Sequence, residues 1–157
     1  MEHINPFQNE RQELSANDFK KALPKKGVLM GIDYGSVRIG LALSDSGWNR
    51  VMPFKTIAKI KELDDIVPAK NVVGFVVGLP LQTDGMEGNT AHQARLFVDR
   101  LAEKFRLPIL WVDELYTSAQ AEAYLKDTLF IRADKRKKVL DAHAAVRVLE
   151  RALQILE

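Results

Sequence analysis

Hydrophobic positions along this chain follow a few spacings, and each spacing predicts a different element. From Gly27 to Asp45 the sequence reads GVLMGIDYGSVRIGLALSD. Val28 to Asp33 is a nearly unbroken apolar run that stops on a carboxylate, the pattern of a buried strand. After a turn at Tyr34-Gly35-Ser36, Ile39, Leu41 and Leu43 alternate with Arg38, Gly40 and Ala42, which predicts a second strand over Val37 to Leu43. A third short strand is expected around Val51 to Thr56, and Pro53 confines it to a sheet edge. A helix around Ile60 to Pro68 leads into NVVGFVVGLP, a continuous run of the kind buried on both faces. The loop LQTDGMEGN follows. Next comes a helix with Ala94, Phe97, Val98, Leu101 and Phe105 on one stripe, for which Thr90 and Gln93 supply a capping box. LPILWV reads as another buried strand and ends on Asp113-Glu114. A helix from about Thr117, and a long one after Lys138 to about Leu156, complete the pattern. Ahead of all this, SANDFKKAL after a Ser15 cap reads as one short helix.

The order βββαβαβα plus a final helix predicts an α/β fold: a hairpin-led mixed sheet continued by parallel crossovers, with helices on both faces. Residues 27–157 are expected to form one domain and residues 1–26 an appended segment. There is no repeat, no low-complexity tract and no G-x-G-x-x-G after the first strand, so this is not a Rossmann pattern. Composition adds limits. The 157 residues, 46% hydrophobic and 28% charged, suit an ordinary globular domain rather than a disordered chain. The absence of cysteine excludes disulfides and thiolate metal sites. The first residues lack an apolar signal region, and VVGFVVGLPL is too short and too broken to span a bilayer. A soluble cytoplasmic protein with no membrane partner is the expectation. A formal net charge of +2 does not demand a nucleic-acid partner, so only local charge can speak to that.

Three acids stand out. In open α/β sheets ligands bind beyond the carboxyl ends of the strands. Asp33 ends the first strand and Glu114 ends PILWVDE, so parallel pairing would bring both to one edge. Asp141 belongs to KKVLDAHAAVRVLERAL, where positions 141, 144, 145, 148, 152 and 155 form the apolar stripe of a helix. Ala144 and Ala145 would let that helix lie close to the small surface of Gly40 and Ala42. Converging acids repel one another, which is a reason to expect Mg²⁺ or Mn²⁺, hard cations that take carboxylate oxygens. Each acid also has a plainer explanation. Asp33 could serve the turn, Glu114 could be an ordinary acid ahead of a capped helix, and Asp141 could sit in a buried salt bridge with an arginine. Asp113 rivals Glu114 but alternation puts it on the opposite face.

The segments GIDYGSVRIGLALSD, VVGLPLQTDGMEGNTAHQARLFVDRL, VDELYTSAQAEAYL and KKVLDAHAAV, taken in this order, resemble the YqgF/RuvX family of pre-16S rRNA nucleases and Holliday junction resolvases. The resemblance runs from about Val28 to Leu156. It implies an RNase H-like fold and a metal-dependent phosphodiesterase with Asp33, Glu114 and Asp141 as catalytic and metal-binding acids. Leu115 stands where the family has arginine, and Ser118 where it has a second threonine, which opens the cation's role to Arg38 or the basic run.

That run is DKRKK, with Lys135, Arg136, Lys137 and Lys138 just before Asp141. It is either a solvated helix end or a contact for nucleic-acid backbone. Arg38 is a candidate phosphate contact or a structural partner for an acid. The loop around Gly85 either offers backbone N–H groups to an anion or is a plain Asp84-Gly85 turn. His92 and His143 lack metal-ligand spacing and are expected at the surface. The sequence therefore predicts a Mg²⁺- or Mn²⁺-dependent nuclease acting on structured RNA, an rRNA precursor above all, possessed of nucleic-acid and ribosomal-particle partners, as monomer or homodimer. The alternatives are a resolvase of branched DNA and a non-catalytic nucleic-acid or ribosome-assembly module. A kinase-like ATPase would need a second domain and a second phosphate loop, and neither is legible.

Overall fold

The computed structural model describes residues 14–81, 84–114 and 133–157, with side chains of the last helix from residue 142 onward. The helix expected from Thr117, together with Leu115 and Ser118, lies outside the described residues. Five strands form one sheet: β1 (Val28–Tyr34), β2 (Ile39–Ser44), β3 (Val51–Ile57), β4 (Val72–Pro80) and β5 (Ile109–Glu114). Their order is β3-β2-β1-β4-β5, with β3, β2 and β1 antiparallel and β1, β4 and β5 parallel. The hairpin half needs only short turns, and the parallel half needs the crossovers that α2 (Leu63–Ala69) and α3 (Asn89–Phe105) provide. This is the hairpin-led mixed sheet continued by parallel crossovers that the hydrophobic pattern predicts. Pro53 lies on the edge strand β3, next to the register shift between Leu41 and Ala42, and both an edge and an irregularity tolerate its missing N–H.

Alternation along each strand divides the core in two. Met30, Ile32, Ile39, Leu41, Phe75 and Val77 pack with α2 and α3, through Leu63, Ile66, Phe97, Val98 and Leu101. Leu29, Ala42, Val76, Leu110 and Val112 face the other way, toward α4 (Ala133–Ile155) and α1 (Ala16–Ala22). The first helix starts as expected, with Ser15 Oγ accepting the Asp18 N–H at 3.1 Å. Phe19 on α1 is fully buried, and Lys20 Nζ donates to the Leu156 carbonyl at 2.9 Å, so this segment is packed onto the domain. No helix among the described residues is long and apolar enough to cross a membrane.

Four details differ from the sequence expectations. Helix α3 begins at Asn89 with Gly88 as its cap and no side-chain cap bond, so Thr90 and Gln93 form no capping box. Glu87 just ahead of it is drawn instead into a bidentate pair with Arg95, at 2.7 and 2.9 Å. Helix α4 starts at Ala133 rather than after Lys138, because lysine and arginine are good helix formers and nothing in the run breaks it. Its buried residues are Ala142, Ala144, Ala145, Val148, Leu149 and Ala152, with Leu156 buried just past its end, whereas Ile155 is 48% exposed. The helix ends at Ile155, so the last turn does not continue the stripe. His143 is half-buried rather than fully exposed, and lines a groove with Thr56 and Ala142.

Candidate active site

Parallel pairing places the site. Ile32 pairs with Val77, so the next residues, Asp33 and Gly78, lie abreast. Gly78 pairs with Val112, and Glu114 lies two residues on, where alternation returns it to the same face. Asp33 and Glu114 thus approach each other across β4, on the side covered by α4. Their carboxyl groups are hydrogen-bonded. Asp113, one residue before Glu114, is exposed on the other face, as alternation requires.

The seat of this pair is a glycine. A Cβ at Gly78 would stand 2.6 Å from Glu114 Oε2 and 2.8 Å from Val148 Cγ2. Helix α4 passes equally close over β1, where a Cβ at Gly31 would stand 2.7 Å from the Ala145 carbonyl oxygen. Small residues on sheet and helix let the two backbones approach, as Ala144 and Ala145 foretold.

Electrostatics at the pair are unusual for carboxylates. The carboxyl of Glu114 is pushed from 4.5 up to about 8. Burial contributes most, followed by the negative charge of Asp33 and the hydrogen bond to it, with a smaller opposing pull from Arg147. At neutral pH the pair therefore holds a proton, and protonated Glu114 donates it toward Asp33. Arg147 extends from α4 beside Val148, and its charge, after burial, also lowers the pKa of His143.

The third acid is located by backbone alone. Asp141 lies in α4, four residues before Ala145 and seven before Val148, on the stripe that meets Gly31 and Gly78. Asp33 pairs with Gly40, and Gly40 with Thr56, so these three form one row across the sheet. Ala142, next to Asp141, lines a groove with Thr56, which brings this turn of the helix to that row. The side chain of Asp141 lies outside the described residues, as do those of Lys135, Arg136, Lys137 and Lys138, whose backbone forms the start of α4. Among the described residues no group of three or more His, Asp or Glu is assembled to hold a metal.

Residues 27–155 match the RuvX family, described as Holliday junction resolvase. The chain belongs to the RuvX family. It is 38% identical over 148 residues to a protein of Sphingopyxis alaskensis named "Putative pre-16S rRNA nuclease", covering 90% of this chain and 96% of that one. A Bradyrhizobium relative of the same name is 40% identical over 140 residues, covering 85% and 86%. Among solved structures, T. thermophilus RuvC in complex with Holliday junction substrate is similar at a TM-score of 0.49 and 14% identity, over 81% of this chain and 93% of that chain.

Within this RuvX family member the remaining candidates fall in several places. Arg38 is half-buried just before β2, on the turn that follows Asp33. The loop at Gly85 is a turn in which Asp84 Oδ1 accepts the Met86 N–H at 2.9 Å, with Gly85 at φ 81°. His92 is exposed, as expected. Sequence reasoning missed two residues. Gly78 was read only as part of an apolar strand, and its signal was a small residue interrupting bulky ones. Arg147 was passed over because it lies off the apolar stripe, although it immediately precedes Val148.

Proposed function

We propose that this RuvX family member is a hydrolase that cleaves phosphodiester bonds in structured RNA, with Mg²⁺ or Mn²⁺ held by Asp33, Glu114 and Asp141. The observation that carries this reading is the Asp33–Glu114 pair, two half-buried carboxyl groups that share a proton above neutrality. Such a pair fits a hard divalent cation, because the cation can take the proton's place and relieve the repulsion. A divalent ion held there supplies an activated water and neutralises charge on the leaving oxygen.

The chain's own groups do the rest. Asp33 and Glu114 would hold the ion once their shared proton had left to solvent, and Asp141 would add the third carboxylate. Arg147 offsets negative charge at Glu114, and Arg38 on the adjacent turn contacts a phosphate of the strand. Lys135, Arg136, Lys137 and Lys138, on the first turns of α4, bind backbone phosphates without regard to sequence. The turn at Gly85, which follows β4 in the chain, adds a contact to the nucleic-acid backbone. Asp113 has no part in the chemistry.

The relatives' name favours an rRNA precursor as substrate, and the proposal extends to processing in the cytoplasm and within ribosomal particles. The family's description as Holliday junction resolvase supports branched DNA as a second reading that keeps the same chemistry. The deciding experiment incubates the purified protein with labelled rRNA precursor and with a four-way DNA junction, each with Mn²⁺ or EDTA. Mn²⁺-dependent cleavage of the precursor is expected. Cleavage of the junction alone moves the assignment to branched DNA, and cleavage of neither leaves a binding module.

A further inference from the structure

We infer that Gly78 is a positioning residue of the catalytic centre: the missing side chain on β4 is the space in which Glu114 reaches Asp33. The inference rests on the functional reading above and deepens it. Glu114 starts from β5 and Asp33 from β1, and β4 lies between them. Any side chain on β4 facing α4 at this row would stand between the two acids. Gly78 is abreast of Asp33 by register, and Glu114 Oε2 already occupies the place where its Cβ would be, at 2.6 Å.

Gly31 separates this role from ordinary close packing. A Cβ there would also be crowded, at 2.7 Å from the Ala145 carbonyl oxygen and 2.8 Å from Leu149 Cβ. Its neighbours belong to the helix alone, so its task is to let α4 approach. Gly78 meets both kinds of neighbour: Val148 Cγ2 from the helix at 2.8 Å and the carboxylate of Glu114. Adding a methyl at 78 forces the helix side chain, the acid, or both to retreat. Ordinary van der Waals contact begins near 3.4 Å, so the acid must move by close to an ångström, a displacement that costs about 100-fold in rate where geometry is critical.

The two consequences can be separated by relieving them one at a time. Gly78→Ala/Val148→Ala removes the helix clash and leaves the acid displaced. Gly78→Ala/Glu114→Asp shortens the acid by one methylene and lets it clear the new methyl. The readouts are the affinity for Mn²⁺ alone, by calorimetry, and cleavage of the RNA substrate, with Val148→Ala and Glu114→Asp as references. Gly78→Ala/Val148→Ala is expected to bind Mn²⁺ about 10- to 100-fold more weakly than Val148→Ala, as supporting residues of metal sites do when changed. Cleavage should fall by about 100-fold. Gly78→Ala/Glu114→Asp should lose less relative to Glu114→Asp than Gly78→Ala/Val148→Ala loses relative to Val148→Ala, because the shorter acid no longer needs the space and only the Val148 contact remains. If Gly78→Ala/Val148→Ala binds and cleaves like Val148→Ala, Gly78 only packs the helix and the inference is overturned. A wild type that neither binds Mn²⁺ nor cleaves overturns the functional reading and this one with it.

Discussion

Replacing Glu114 with glutamine should make the metal-free protein more stable at alkaline pH and leave it nearly unchanged at pH 5. Glutamine keeps the size of the side chain and can still donate a hydrogen bond to Asp33, as protonated Glu114 does. What it loses is the ability to ionise. In wild type the folded state holds the Glu114 proton up to about 8, against 4.5 for the free group. Because the folded pKa is raised, the proton's contribution to stability is complete below 4.5 and is lost as pH climbs through about 8. Over that whole interval the loss is about 5 kcal/mol, and about 3–5 kcal/mol when part of the effect is shared with Asp33. For a chain of this size each kcal/mol moves Tm by about 2–4 °C, so the two proteins should separate by about 10 °C between pH 5 and pH 9.

The assay is thermal melting of both proteins in EDTA across that range, repeated with Mn²⁺. Comparing the two curves removes the contribution of every other titrating group. In EDTA the wild-type curve should fall progressively away from that of the variant between about pH 4.5 and about pH 8, and run parallel to it above that. With Mn²⁺ wild type should recover, because a ligand that binds only the folded state adds stability by mass action, and the variant should recover less. Parallel curves in EDTA would refute the reasoning: Glu114 would then be a solvated strand-end acid with no strained partner.

Changing Lys135, Arg136, Lys137 and Lys138 together to alanine should weaken nucleic-acid binding equally across sequences. Each lost phosphate contact should flatten the salt dependence by about one log–log unit, and an unchanged slope in a filter-binding titration would make the run a solvated helix face. Asp141→Asn should abolish cleavage while metal-free Tm holds or rises and the gain from Mn²⁺ shrinks. A buried salt bridge at Asp141 predicts a loss of about 3–5 kcal/mol instead, read in the same melts. Phe19→Ala, which empties a fully buried site, should lower unfolding stability in urea by about 3–5 kcal/mol, and a loss below 1 kcal/mol would mean that α1 is only appended.

Much of this fold was legible because its strands announce themselves in one dimension. Val28 to Asp33 and Val72 to Pro80 are apolar without interruption because both faces of the central strands are covered, and Ile39, Leu41 and Leu43 alternate because Gly40 and Ala42 must be small beneath α4. The meeting of Asp33 and Glu114 was legible for the same reason, since parallel strands that each end on a carboxylate bring those acids to one sheet edge. What stayed hidden depends on pairs distant in sequence. The start of α3 was misplaced by local capping preference, because Glu87 is committed to Arg95 eight residues away. The stripe of α4 drifted at Ile155 because the helix stops there and Leu156 turns inward.

Gly78 and Arg147 show the limit most clearly. A glycine inside a strand signals that something comes close, yet the sequence cannot say whether that is a helix or a carboxylate arriving from another strand. Only the β4–β5 register, Gly78 opposite Val112 and Glu114 two residues on, identifies the visitor. Arg147 is one of many cations in a charged helix until α4 is laid across β4 and its neighbour Val148 touches the same spot. The acids of such a centre can therefore be read from strand ends, whereas the residues that hold them together are properties of the assembled sheet.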